Sequence, residues 1–285
     1  MRRLALPNFD FSTALAETIN GIGNKIIQEK YRNQLANPAS IEKYFQNNAK
    51  AATLYNLPRV DNGNDDVTIY GNLKKIELTK LYTQYFSATG KPARRLYDQI
   101  KVTSNGKCPF CGDIGHVRTL DHYAPKANFP LYSVMPGNLI PCCRDCNTEK
   151  LDAFSTTLEG QTLNPYFDDE KFFNEKWVAA KVIKNNPPVV EYYVSPPVDW
   201  PHSDKKRVDA HFTEYGLVER FSVEAAAALP EVIATRKGIL RGSSPKDYAE
   251  YLYEVSNNLN LPINNWRRVM FSCLAEDLWF CSHEH

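Results

Sequence analysis

Long hydrophobic runs are missing from this 285-residue chain, and with them the roughly 20-residue apolar stretch that a membrane-spanning helix needs. The opening MRRLALPNFDFSTALA holds two arginines, but Asn8 and Asp10 interrupt its apolar stretch before a secretory core forms, so the expected location is the cytoplasm. Repeats and low-complexity segments are absent. Hydrophobic content of 43% and charged content of 24% match an ordinary globular protein, long enough for two or three compact units. An excess of charge of one sign is missing too, since 34 Lys+Arg meet 33 Asp+Glu for a net charge of +1. The balance conceals an asymmetry. Basic and acidic residues number 14 and 9 in residues 1–100, 6 and 4 in 101–150, and 14 and 20 in 151–285, so the first 150 residues sum to +7 and the rest to −6. A nucleic-acid footprint therefore belongs on the N-terminal and central portions.

Cysteine is scarce and odd in number, at seven. Without an export signal, that count argues for metal ligation in a reducing compartment over disulfide stapling. Four of the seven stand as two C-x2-C pairs, Cys108 with Cys111 and Cys143 with Cys146. A two-residue gap lets both sulfurs of a pair face one ion, and two pairs complete the tetrahedral thiolate set of a structural zinc site. Between the pairs lie 143 − 111 − 1 = 31 residues, more than the roughly 15–20 of a simple ribbon, so the enclosed segment has structure of its own. Cys142 stands beside a ligand but lacks a partner at the right spacing, and reads as a small core residue.

The enclosed segment predicts strand, loop, strand, helix. Val117 to Tyr123 has strand character and stops before Pro125; Asn138 to Cys142 follows the Pro136-Gly137 turn; Cys143 to Leu151 starts a helix with Asp145 near its positive end. Its residues Asp121-His122-Tyr123-Ala124-Pro125, Asn138-Leu139 and Cys143-Arg144-Asp145-Cys146-Asn147-Thr148-Glu149-Lys150 resemble the HNH endonuclease family, with its D-H-x-x-P, N-L and C-x2-C-N-x-x-K signatures. The resemblance covers residues 108–150. It implies a ββα-metal core in which His122 is the general base, Asp121 a ligand of the catalytic divalent ion, and Asn138 the brace of the loop that bears the histidine. Asn147 takes the last motif position, where many members have histidine, which makes an H-N-N variant. Its amide oxygen is a hard ligand suited to Mg²⁺ or Mn²⁺. Imidazole titrates near neutrality and so can take a proton from water. Strand alternation puts Asp121 and His122 on opposite sides, unless the strand end bends and brings both to one site.

Lys91, Arg94, Arg95, Lys126, Arg144 and Lys150 are the candidates for nucleic-acid contact. Elsewhere the periodicities predict helices. Leu15, Ile19, Ile22 and Ile26 form one apolar stripe; Ile41, Tyr44, Phe45 and Ala49 form a second behind Ser40; Pro92 opens a helix carrying Leu96, Tyr97 and Ile100. Residues 61–66 are a turn-rich acidic loop that lacks the twelfth-position glutamate of an EF-hand. Asn164 to Asp168 mark an exit loop. Val178 to Ile183 and Val189 to Val194 predict a hairpin, followed by helices near 203–215, 222–240, 245–259 and 264–280, the last with a packing face of Trp266, Val269, Met270, Cys273, Leu274, Asp277 and Leu278. Terminal Cys281, His283, Glu284 and His285 form a weaker metal candidate.

The expected fold is α+β, a mainly helical protein with a central zinc-stabilised ββα-metal nuclease core at 101–154, a helical region at 1–100 and a mixed hairpin and helical region at 155–285. The expected function is a metal-dependent endonuclease cutting nucleic acid, double-stranded DNA first, with structural Zn²⁺ and catalytic Mg²⁺ or Mn²⁺ and no membrane partner. Chains of this kind with long flanks resemble nuclease components of bacterial or phage-defence systems that work beside an ATPase. The alternative is a four-cysteine zinc module that binds nucleic acid or a protein without cutting it.

Overall fold

Asp10 opens the first helix by accepting the Thr13 amide at 2.8 Å, which satisfies one of the free N–H groups of the first turn. This helix, α1 (Phe11–Asn20), buries Phe11, Ala14, Leu15 and Ile19. The computed structural model describes residues 1–150, 152–257 and 260–283. In it the apolar stripe is cut at Gly21. Asn24 then caps a new helix, α2 (Lys25–Gln34), accepting from the amides of Ile26 and Ile27. A restarted helix does not inherit the phase of the one before it, so Ile22 is buried while Ile26, expected in the core, is 82% exposed. In α3 (Pro38–Lys50) the i, i+4 row Ile41, Phe45, Ala49 is buried, and Tyr44 on its flank is half exposed instead of packed.

The acidic loop at 61–66 is met by two lysines that follow it in the chain. Lys75 is buried and donates from Nζ to the Asp61 carbonyl at 2.8 Å, while Lys74 Nζ pairs with Asp66 at 3.0 Å. A hairpin not foreseen from sequence, β1 (Thr68–Tyr70) with β2 (Leu73–Lys74), leads into α4 (Lys75–Lys80). Without a break α4 passes into a π-helical turn, Leu81–Phe86, where the Ser87 amide donates to the Tyr82 carbonyl five residues back at 2.9 Å. Next come α5 (Arg94–Val102), which buries Leu96, Tyr97 and Ile100, and the antiparallel pair β3 (Thr119–His122) and β4 (Leu139–Cys142), on which α5 packs. The register sets Thr119 against Cys142 and His122 against Leu139. Helix α6 (Arg144–Lys150) follows, so the expected strand, loop, strand, helix order is present with slightly shorter elements. Leu151, the expected helix end, lies outside the described residues. These elements belong to one compact unit, residues 3–110 with 114–168.

Residues 1–2, 111–113 and 169–285 make the second unit. After the short α7 (Lys171–Asn174), the hairpin of β5 (Val178–Ile183) and β6 (Val189–Val194) has the expected bounds. Asn264 accepts from the amides of Trp177 and Val178 at 2.9 and 3.1 Å, and Trp177 itself is fully buried. Helices α8 (His202–Glu214), α9 (Leu217–Lys237) and α10 (Pro245–Ser256) follow, with Asn258 and Leu259 of the expected third stretch outside the described residues. The expected last helix is two. Helix α11 (Trp266–Glu276) ends and Asp277 caps α12 (Leu278–Ser282), accepting the Phe280 amide at 2.8 Å. The cap redirects the chain, so Leu278 is 81% exposed while Val269, Met270, Cys273 and Leu274 are buried. No helix among the described residues is long and apolar enough to cross a membrane.

Candidate functional site

The two C-x2-C pairs come together. Their four Sγ atoms lie within 4.8 Å of one another, and all four side chains are buried. A tetrahedral zinc with bonds of about 2.3 Å would hold such sulfurs about 3.8 Å apart, so the donor set fits that ion with small adjustments. Local backbone prepares the pairs. The Cys108 amide donates to the Gly115 carbonyl at 2.9 Å, Gly112 returns the first knuckle at φ +61°, and the Cys146 amide donates to Cys143 Sγ at 3.4 Å, a bond that favours the thiolate. None of the seven cysteines is in a disulfide, and Cys142, buried beside Cys143, is not one of the four. At the C-terminus Cys281 is buried with its Sγ 3.3 Å from the Leu274 carbonyl, and His283 stacks on Trp279. Glu284 and His285 lie outside the described residues. Among the described residues the four-cysteine group is the one group of three or more His, Cys, Asp and Glu placed to hold an ion.

A cleft of about 290 Å³ opens beside β3, lined by Asp121, His122, Lys126 and Asn147 together with Tyr82, Thr119, Pro125 and Asp152. Asp121 and His122 share it because His122 is the last residue of β3 and the chain turns there. The imidazole is buried. Its Nε2 lies 2.8 Å from the Ser133 carbonyl, and Ser133 is fixed in turn by donating from Oγ to the Leu78 carbonyl at 2.7 Å. A carbonyl only accepts, so Nε2 carries the proton and Nδ1 is left with the lone pair. Burial, with Lys126 and Lys150 nearby, lowers the His122 pKa to about 3, against the weaker opposite pull of the Ser133 carbonyl. The ring is a neutral base over the physiological range.

Asn138 is fully buried and clamps the turn after His122. Its Oδ1 accepts the Ala124 amide at 2.7 Å, and its Nδ2 donates to the carbonyls of Ala124 and Tyr132 at 3.0 and 3.1 Å. Asp121 is equally enclosed. Lys150 Nζ lies 3.2 Å from its Oδ2, an ion pair without hydrogen-bond alignment, and the two side chains are 8% and 3% exposed. Burial raises the Asp121 pKa and Lys150 opposes it, with burial the larger effect. Lys150 also donates to the His122 carbonyl at 2.7 Å, so this lysine straps α6 to the Asp121-His122 peptide.

Protein ea31 of Escherichia phage lambda is 36% identical over 291 residues, an alignment that takes in 96% of this chain and 97% of the phage protein. This chain belongs to the ea31 family. No family model and no solved structure matches. The name ea31 states no chemistry, so any functional reading of this family member rests on the cleft and the thiolate cluster.

In this ea31-family chain the expected contact residues separate. Lys126 lines the cleft with Nζ 5.8 Å from the centre of the Tyr82 ring, and Arg144 is exposed at the start of α6. Lys150, expected to meet phosphate, is turned inward as described. Lys91, Arg94 and Arg95 do not line the cleft: Lys91 donates to the Gly21 carbonyl, Arg94 pairs with Asp98 at 3.1 Å, and Arg95 pairs with Glu17 at 3.3 Å. Asp152 and Tyr82, and with them Thr119 and Leu120 of β3, line the cleft without having been named from the sequence. Asp152 follows the motif without belonging to it, and Tyr82 sits forty residues before His122, where only the aromatic run Tyr82, Tyr85, Phe86 marked the stretch.

Proposed function

We propose that this protein is a metal-dependent endonuclease that hydrolyses nucleic-acid phosphodiester bonds, with DNA as the first substrate, on an HNH-type ββα-metal core in its H-N-N form. One observation carries the reading: a neutral imidazole, Nε2 spent on the Ser133 carbonyl and Nδ1 free of that bond, shares a cleft with a carboxylate and an amide oxygen. Hydrolysis of a phosphodiester needs a base for the attacking water and neutralisation of charge on the phosphate. His122 Nδ1 takes the water proton, and the imidazolium so formed is stabilised by the Ser133 carbonyl opposite. Asn138 keeps the turn after His122 from drifting. Asp121 and Asn147 offer two hard oxygens, a donor set that fits an ion such as Mg²⁺ or Mn²⁺, which keeps several waters of its own. When bound, such an ion supplies charge for the phosphate and the leaving oxygen. Lys126 adds positive charge at the rim of the cleft. The four thiolates, buried and closed, have the features of a structural zinc site without part in the reaction.

One observation favours a second reading, a zinc module that binds without cutting: Asp121 already meets Lys150 Nζ, so its carboxylate has a structural partner. Incubation of zinc-replete protein with plasmid DNA and with RNA, in Mg²⁺ and in Mn²⁺, separates the two. The endonuclease reading expects cleavage that stops on chelation of the added ion and falls in Asp121→Asn and Asn147→Ala while zinc content stays at that of the parent. Inert wild type on every substrate, with zinc in place, would establish the binding module.

A further inference from the structure

The π-helical turn at Leu81–Phe86 has no counterpart in the motif around His122, yet it delivers a side chain to that residue. π-turns are rare, and they concentrate at functional sites because the extra residue per turn aims side chains that a regular helix would point elsewhere. Here the residue aimed is Tyr82. Its ring meets the His122 imidazole edge to face, with centroids 4.4 Å apart and planes at 71°. Its hydroxyl donates to the Leu120 carbonyl at 3.3 Å, on the strand that carries His122. It also lines the cleft, and the Lys126 Nζ stands over its ring. The Tyr82 carbonyl is held twice by Ser87, through the backbone amide and through Oγ, both at 2.9 Å, which fixes the turn itself.

The imidazole hangs from the Cβ–Cγ bond, and its Nε2 bond to the Ser133 carbonyl opposes but does not stop rocking of the ring about Cβ–Cγ. A ring packed against its face or edge removes that motion. We propose that Tyr82 is a positioning residue for His122: together with the Ser133 carbonyl it clamps the imidazole so that Nδ1 stays directed at the cleft. The kinetic part of this proposal rests on the endonuclease reading; the structural part does not.

The test uses Tyr82→Leu, which removes the aromatic wall, and Tyr82→Phe, which keeps the wall and removes only the Leu120 bond. The first readout is ¹⁵N NMR of the His122 ring in the full-length zinc-bound protein. Wild type and Tyr82→Phe should show one neutral tautomer with the proton on Nε2, whereas Tyr82→Leu should show averaging between tautomers or ring motion. The second readout is cleavage of the substrate found for wild type. Tyr82→Leu should lower kcat by about 10- to 100-fold, the range expected when a reacting group loses its alignment, with KM changed by less than about threefold, and Phe should restore most of the loss. Combined with His122→Gln, Tyr82→Leu should cost nothing further, because a residue that acts through His122 has nothing left to position. A wild-type His122 spectrum in Tyr82→Leu, or an equal loss of rate with and without His122, would overturn the proposal. If wild type cleaves nothing, the endonuclease reading fails, and the NMR result alone still decides whether Tyr82 positions the ring.

Discussion

The four-cysteine cluster and the His122 cleft both draw on the stretch from β3 to α6, and burial serves a different end in each. In the cluster, four identical soft donors, all buried, face one another within 4.8 Å, the donor set of a tetrahedral thiolate site. Around the cleft, polar groups are tied into the protein: His122 to Ser133, Asn138 to Ala124 and Tyr132, Asp121 to Lys150. The first is a donor set compatible with a bound zinc ion. The second is a set of hydrogen-bonded groups beside an opening of about 290 Å³ that Lys126, Asn147 and Asp152 also line. The difference is between four like donors turned on one another and unlike polar groups turned on the surrounding fold.

The largest effect should come from breaking the frame. Cys108→Ser and Cys146→Ser should lose zinc and several kcal/mol of stability, since folding and metal ligation are coupled in such sites; metal analysis and a thermal melt check this, and stoichiometric zinc in both variants would remove four-thiolate ligation. Next comes the strap across the cleft. Lys150→Met strands the Asp121 carboxylate in a buried position and should cost about 3–5 kcal/mol, most of it recovered by pairing the change with Asp121→Asn. Denaturant melts of the two singles and the double form the cycle, and additive losses would show that the 3.2 Å contact carries no energy.

Asn147→His sharpens the contrast between hard and soft donors. An imidazole in place of an amide oxygen should move the metal preference of cleavage from Mg²⁺ or Mn²⁺ toward Co²⁺, Ni²⁺ or Zn²⁺ without displacing the structural zinc, as a metal titration of the rate would read. The smallest effect concerns acid. Because the folded pKa of His122 is near 3 and an unfolded histidine titrates near 6.5, the unfolded chain binds a proton in that window that the folded chain refuses. That contribution to stability is complete above about pH 6.5 and is lost as the pH falls toward 3. Asp121, raised by the same burial, adds a slope of opposite sign from the ordinary carboxylate range upward, so the comparison is between the parent and His122→Gln. The variant should show a shallower loss of stability between pH 6.5 and 4; identical pH profiles would place His122 in a wetter setting than its enclosure implies.

Much of the frame was legible because local chemistry dictates it. The β5 and β6 bounds follow from alternating apolar residues around a Pro-Pro turn, and the β3, β4, α6 order follows from spacing around the cysteines. What was missed lies where a pattern continues past a physical break. The stripe through Ile26 ignores the restart at Asn24, and the run through Leu278 ignores the cap at Asp277; in each a side-chain cap outweighs periodicity. In the cleft, Asp121, His122 and Asn147 were legible from their motif. Tyr82 was not, since a π-turn has no sequence period and the contact joins residues far apart in the chain. The inward turn of Lys150 was also hidden, because exposure of a lysine depends on what neighbouring elements enclose.

The account turns on His122 acting as a base instead of as a buried polar residue. Single-turnover cleavage of a nucleic-acid substrate by wild type and His122→Gln, at saturating Mg²⁺ or Mn²⁺ and with zinc content measured on the same samples, tests it most directly. Glutamine can still donate to the Ser133 carbonyl and so keeps the fold, but it cannot take a proton. Full zinc, a melting temperature near that of wild type, and a rate at least about 10²-fold lower are expected of His122→Gln. Cleavage by His122→Gln at the wild-type rate, or a wild type that holds zinc and cuts nothing, would contradict His122 as the base.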